Sequence, residues 1–137
     1  MRMTRKKPVK KFTSTWIFEP FSQDRTFFQK PMFGCMAAYV RSRMVMVLAE
    51  DPGDRKYRGK TYPYDIWNGV MLPTEKDYHA SLIKEFGALI PHPVLGKWLY
   101  LPAADENFET LVRDLADQIA QGDPRFGIEP QIKPIRK

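Results

Sequence analysis

The chain has 137 residues, of which 43% are hydrophobic and 13% aromatic, so it can bury a core, and disorder of the whole chain is excluded. The net charge is +6, but residues 1–11 carry +6 and residues 123–137 carry +2, which leaves −2 on residues 12–122. The basic character therefore belongs to the ends of the chain, which weakens the case for a nucleic-acid surface on the central part.

Neither a membrane span nor a secretory signal is predicted. No apolar run approaches the ~20 residues that cross a bilayer, and the basic N-terminus is followed by no apolar segment. The single cysteine, Cys35, cannot form an internal disulfide. We therefore expect a cytoplasmic protein with no membrane contact.

The composition divides the chain into three parts. A basic, flexible tail at 1–14 precedes a single domain at 15–122, and an extended, proline-containing tail follows at 123–137. The domain opens with an aromatic cluster in which Trp16–Glu19 is predicted to be a short extended segment, because Pro20 prevents a continuous helix.

Two apolar runs in the first half of the domain predict a β-hairpin. They cover 32–40 and 44–50 and are separated by the short polar break Arg41-Ser42-Arg43. Both runs are apolar at nearly every position, which is typical of strands covered on both faces. We therefore place this hairpin in the middle of a sheet.

The rest of the domain alternates between strands and helices. In chain order we predict a loop at 51–64, a strand at 65–72 with a bulge or close contact at Gly69, a helix capped by Thr74, a strand at 96–102 with Trp98 and Tyr100 on one face, and an amphipathic helix at 105–121. These elements predict an α+β fold in two layers, with an antiparallel sheet of about four to five strands and helices packed on one face.

Candidate catalytic residues are few. Cys35 has no histidine near it in sequence and is interpreted as a buried, inert thiol. His79 falls at the edge of a helical apolar stripe, and His92, between two prolines, is predicted to be the better exposed of the two histidines. No metal-ligand spacing or cofactor-binding motif occurs, so no metal, cofactor or catalytic residue is assigned.

The loop at 51–64 contains the basic patch most suited to phosphate contacts, because its cations alternate with tyrosines. Together with the break in the hairpin and the N-terminal tail, it supplies the candidate nucleic-acid-binding residues: Arg41, Arg43, Arg55, Lys56, Arg58, Lys60, Lys6, Lys7, Lys10 and Lys11. An acidic protein is the other partner that this surface suits.

One part of the sequence resembles known bacterial families. Met32-Phe33-Gly34, followed by Tyr39 and a Met-rich strand, is similar to the N-terminal domain of TfoX competence regulators. Gly96-Lys97-Trp98 ahead of the last helix resembles the MmcQ/YjbR-like family. The resemblance implies a small, cytoplasmic, bacterial α+β domain without an established enzymatic activity, with a regulatory role in the first family and DNA binding in the second.

Three functional hypotheses stay open. The leading one is a non-enzymatic regulatory binding module that contacts nucleic acid through its basic tail and loop. The second is a protein-interaction or homodimerisation module that uses a sheet edge or a Met and aromatic face. The third is a small-molecule-binding or enzymatic domain with a pocket formed by residues 57–65 and His92.

Overall fold

A six-stranded antiparallel sheet is the centre of the fold, as seen in the computed structural model, which describes residues 11–129. The strands of the described chain are β1 (Phe28–Met32), β2 (Cys35–Val40), β3 (Arg43–Glu50), β4 (Lys56–Tyr57), β5 (Lys60–Thr61), β6 (Asn68–Leu72), β7 (Ile90–Pro91) and β8 (Leu99–Pro102). The main sheet has the order β1-β2-β3-β6-β8-β7, and β4 and β5 form a separate two-stranded ribbon.

The helical segments pack on one side of this sheet. They are a 3₁₀ helix at Thr15–Phe21, a 3₁₀ turn at Lys76–Tyr78 that continues into α1 (His79–Glu85), and α2 (Phe108–Ala120). The predicted α+β fold with helices on one face is confirmed. The strand number exceeds the predicted four to five because β1 and β7, both short edge strands, add to the sheet. No helix among residues 11–129 is long and apolar enough to cross a bilayer.

The predicted central hairpin is the β2–β3 pair, and both of its faces are covered. All residues from Met44 to Ala49 are buried. We call the helix-covered side the inner face and the other side the outer face. Alternate residues of the sheet supply the outer face, among them Cys35, Ala37, Tyr39, Val47, Met71 and Tyr100.

Two local predictions in the first half of the domain are wrong. The run at 32–40 is not one strand, because Phe33 and Gly34 form a two-residue turn that pairs Met32 with Cys35. Trp16–Glu19 is helical rather than extended, since a 3₁₀ helix accommodates Pro20 while it buries Ile17.

The second half follows the predicted order with shorter elements. Trp98 and Tyr100 lie on the outer face while Leu99 and Leu101 enter the inner core, which confirms the predicted alternation. Thr74 is not a helix cap, since it lies before the 3₁₀ turn and its hydroxyl donates a 2.5 Å hydrogen bond to the carbonyl of Arg125.

The part of each predicted tail that adjoins the domain contacts it. The backbone N–H groups of Thr13 and Ser14 donate to the Glu50 carboxylate at 2.9 Å. At the other end, Phe126 is buried in the inner core, and Ile128 forms a bridge with Met44.

Gly69 is the close-contact point that the sequence predicts. It has a φ of +153°, and a Cβ added there would lie 2.2 Å from the carbonyl oxygen of Leu101 in the neighbouring strand β8. A side chain at this position would therefore separate β6 from β8.

We expect Gly69→Ala to lower the free energy of unfolding by more than about 2 kcal/mol, because both the backbone conformation and the contact with β8 oppose a Cβ. Urea denaturation measures this change. Gly87→Ala is the matched control, since an added Cβ at Gly87 meets nothing within 4 Å. Equal stability of the two variants would contradict the assignment of Gly69 as the close-contact point between β6 and β8.

Candidate functional site

A concave surface with a mostly apolar lining lies on the outer face of the sheet. Its floor is formed by Cys35 and Met71, and the turn between β1 and β2, the segment 51–67 and the segment 95–98 surround it. The groove has a volume of about 680 Å³. Its lining residues are Met32, Phe33, Cys35, Asp51, Asp54, Tyr57, Trp67, Met71, Leu95 and Trp98.

Phe33 is the most unusual residue of this groove. It stands on the rim and is 97% exposed, while its backbone has a positive φ of 49°. A positive φ in the first position of a two-residue hairpin turn is normally occupied by Asn, Asp or Gly. A strained backbone that carries a hydrated, large apolar side chain lowers the stability of the isolated chain. This position is therefore a candidate for recognition.

The segment 51–67 forms one wall of the groove and is more ordered than the predicted loop. Its base is closed by a hydrogen bond from the Asp51 N–H to the Trp67 carbonyl, and a second bond joins the Ile66 N–H to Asp54. Its far end is the β4–β5 ribbon, with Arg58 and Gly59 at the turn. This backbone ladder holds Tyr57 and Trp67 in place at the groove.

His92 fixes this wall to the sheet, and the prediction that it is exposed is wrong, since its exposed fraction is 1%. Its Nδ1 accepts hydrogen bonds from the backbone N–H groups of Val94 and Leu95, both at 3.0 Å. Nε2 must therefore carry the proton, which it donates to the carbonyl of Ile66 at 2.6 Å. Both nitrogens are engaged, so His92 is neutral, and burial lowers its pKa.

Tyr100 makes a second polar anchor beside His92. Its hydroxyl donates to the carbonyl of Asp65 at 2.6 Å and accepts from the N–H of Asn68 at 2.9 Å. Burial raises its pKa, so the hydroxyl stays protonated. The rings of Trp67 and Tyr100 both lie against His92, at 4.5 and 4.9 Å between centroids, so the groove wall rests on buried, hydrogen-bonded groups.

Three of the predicted nucleic-acid-binding arginines make intramolecular contacts. Arg41 forms a 2.5 Å ion pair with Asp24, whose pKa is lowered first by hydrogen bonds from Thr26. Arg43 donates to the carbonyl of Gly127, and Arg55 pairs with Asp65 at 2.8 Å. These contacts use some of the hydrogen-bond donors of the three guanidinium groups, so fewer donors are left for phosphate.

The remaining predicted cations are distributed over separate places. Lys56, Arg58 and Lys60 are exposed on the β4–β5 ribbon, where Arg58 lies over the ring of Tyr57 at 5.2 Å. Lys11 is exposed at the start of the described chain, and Lys6, Lys7 and Lys10 lie outside the described residues.

The structure assembles no catalytic group from the predicted candidates. Cys35 is buried in the groove floor, as predicted, and no His, Lys or Arg is among the described residues that line the groove. His79 is half-buried, with Nε2 at 2.8 Å from the carbonyl of Lys97. His92 and Asp65 do not line the groove. Within residues 11–129, no group of three or more His, Cys, Asp or Glu side chains could hold a metal ion.

Sequence reasoning missed the aromatic residues that define the groove. The apolar run at 32–40 predicts that Phe33 lies inside a strand, and neither Trp67 nor Leu95 belongs to a functional motif. A signal for Phe33 exists, because Phe-Gly followed by an apolar run is compatible with a two-residue turn, but exposure cannot be read from the residue type.

Comparison with known proteins does not identify the chain: no family model matches it, and no curated protein or solved structure is detectably similar.

The tautomer of His92 predicts a pH dependence of stability. Below the ordinary histidine pKa of about 6.5, the unfolded chain binds a proton that the folded chain does not, so stability falls as the pH falls. The slope is at most about 1.4 kcal/mol per pH unit for this one group. Urea denaturation at several pH values between about 7.5 and 5, a range that includes the ordinary histidine pKa, measures this slope.

In His92→Gln we expect lower stability at neutral pH and a shallower dependence below it. Val70→Ala is the control, because it removes buried apolar volume without removing a titrating group. If His92→Gln and Val70→Ala show the same dependence as the wild type, His92 does not carry the effect.

Proposed function

We propose that the protein is a non-enzymatic regulatory binding module that acts in the bacterial cytoplasm and engages a protein partner through the outer-face groove. The observation that carries this proposal is the exposure of Phe33, at 97%, on the rim of a groove lined by aromatic and apolar side chains. The resemblance of Met32-Phe33-Gly34 to TfoX-like domains supports the regulatory part.

The composition of the groove favours a protein ligand. Aromatic residues, above all Trp and Tyr, dominate the binding energy of protein interfaces, and Trp67, Trp98 and Tyr57 all line this groove. Asp51 and Asp54 add carboxylates to the same lining. A segment with an apolar anchor next to a Lys or Arg therefore complements both the apolar surface and the charge.

Side-chain docking fits this surface better than addition of a strand. β1 is an edge strand of the described sheet, with β2 as its neighbour. Pro31 interrupts β1 and has no N–H to donate, which reduces the capacity of the edge to pair with a further strand. The sheet-edge version of the protein-interaction hypothesis is thus less favourable than recognition by the groove.

The test combines binding with stability. We expect peptides selected from a random library on sparsely immobilised protein to contain an aromatic or aliphatic anchor next to Lys or Arg. Phe33→Asn should weaken their binding by roughly tenfold or more, as loss of an interface anchor does. The same variant should raise the free energy of unfolding by about 1 kcal/mol, because Asn-Gly suits the positive-φ turn.

Phe28→Thr is the matched control. Phe28, in β1, is also an exposed aromatic residue, at 47%, but it does not line the groove. Peptide binding that is equally sensitive to both substitutions, or a selection that yields no peptide dependent on Phe33, would contradict the proposal.

Nucleic-acid binding is a second candidate, and the β4–β5 ribbon is the observation that favours it. Lys56, Arg58 and Lys60 are exposed there without an acidic partner in the ribbon itself, and Tyr57 and Tyr62 lie next to them. Cations alternating with aromatic rings are typical of surfaces that track single strands.

For this candidate we expect the full chain to bind a single-stranded oligonucleotide at low salt. Replacing Lys56, Arg58 and Lys60 by Gln should reduce the salt dependence of log K by about 2, since each lost phosphate contact removes about 0.7. Fluorescence anisotropy at several salt concentrations measures this. The control replaces Lys76, Lys84 and Lys97, which are exposed elsewhere. Absence of binding at low salt would exclude the nucleic-acid function.

A further inference from the structure

The groove and Phe33 lie side by side on one surface of the same molecule. Phe33 projects from the turn between β1 and β2, and the lining of the groove begins at that turn. An apolar projection next to an apolar depression is a self-complementary surface. Two copies related by a twofold axis can each insert the projection into the other's depression, as an isologous interface requires.

We propose that the outer-face groove is occupied by Phe33 of a second copy of the chain, in a twofold-symmetric, reversible dimer. This inference rests on the proposed function, because it assigns an occupant to the same groove. The site is incomplete in one copy, since Phe33 contributes to the rim of its own groove and remains 97% exposed.

The energetic argument begins with Phe33 itself. In the monomer its ring is hydrated and its backbone has a φ of 49°, so the chain has both an exposed apolar side chain and a strained turn. Insertion of the ring into a second copy removes the apolar surface from water. Within one copy the ring of Phe33 stays exposed, whereas Phe28, an exposed aromatic residue of β1, already stacks on Tyr39 at 4.6 Å.

The groove is suited to receive an aromatic ring. Met32 and Met71 line it with flexible, polarisable side chains, and thioether sulfur makes favourable contacts with aromatic edges. Trp67 and Trp98 provide rigid walls, of which Trp67 is held against the buried ring of His92. Its volume of about 680 Å³ leaves room for a side chain and the turn that carries it.

The charge distribution permits two copies to approach. Residues 12–122 carry a net charge of −2, so no large like-charge barrier opposes association of the domains. Asp51 and Asp54 lie in the groove lining, and the exposed cations Lys56 and Arg58 flank Tyr57, which belongs to the same lining. Each copy thus has carboxylates in the groove and cations on the adjacent β4–β5 ribbon, so a second copy can supply the opposite charge to each.

The experiment is analytical ultracentrifugation of the full chain from low micromolar to several hundred micromolar. We expect a reversible monomer–dimer equilibrium for the wild type. Phe33→Asn should raise the dissociation constant by roughly thirtyfold or more, as loss of an interface anchor does, while the turn keeps its conformation. Phe28→Thr should leave the constant within about twofold. Tryptophan emission, which reports on the groove through Trp67 and Trp98, should change with dilution in the wild type and in Phe28→Thr, and much less in Phe33→Asn.

Two results would overturn the inference. The first is a wild type that stays monomeric over the whole concentration range, and the second is a dimer whose dissociation constant is unchanged in Phe33→Asn. Neither result removes the proposed function, which is judged by peptide binding to sparsely immobilised single copies. Conversely, a Phe33-dependent dimer without any selected peptide would confine the groove to self-association. Circular dichroism of Phe33→Asn verifies that the variant folds.

Discussion

The β2–β3 pair is apolar on both faces, and the remainder of the structure follows from that constraint. A strand whose residues from Met44 to Ala49 are all buried needs cover on both sides. The 3₁₀ helix and α2 cover the inner face with side chains at helical spacing. The outer face has no helix among the described residues and is covered by the segments 51–67 and 90–98. This cover is incomplete and leaves the outer-face groove between the two segments.

Polar contacts add to the apolar packing that holds the outer cover in place. The hydrogen bonds of His92 and Tyr100 join the segments 51–67 and 90–98 to each other and to the sheet. Buried and fully bonded, these groups make the wall behind Trp67 rigid. A rigid wall lowers the entropic cost of binding, because the side chains are already ordered before a partner arrives.

The sequence predicts those features that depend on local periodicity. The three-and-four spacing of Phe108, Val112 and Leu115 identifies α2, and uninterrupted apolar runs identify the central strands. The sequence does not predict which polar residues in loop-like segments are buried. His92, flanked by two prolines, resembles a surface turn, and only its long-range bond to Ile66 reveals a buried anchor.

The intramolecular contacts of the predicted nucleic-acid-binding arginines could not be predicted for a similar reason. Charge in a loop is visible in the sequence, but its neutralisation is not, because the partners of Arg41 and Arg55 are set by folding. Phe33 illustrates the opposite case: an apolar residue in an apolar run is expected inside, and a turn places it outside. The proposed binding surface therefore rests on exposure and backbone conformation, which residue type alone does not contain.

The most direct test of this account follows the methionine methyl groups by NMR as the protein concentration rises from micromolar to millimolar. The account predicts that the signals of Met32 and Met71, which line the groove, shift progressively, while that of Met46, buried on the inner face, stays constant. If the Met32 and Met71 signals stay unchanged over the whole range, and also after a selected peptide is added, the assignment of the groove as the binding surface is contradicted.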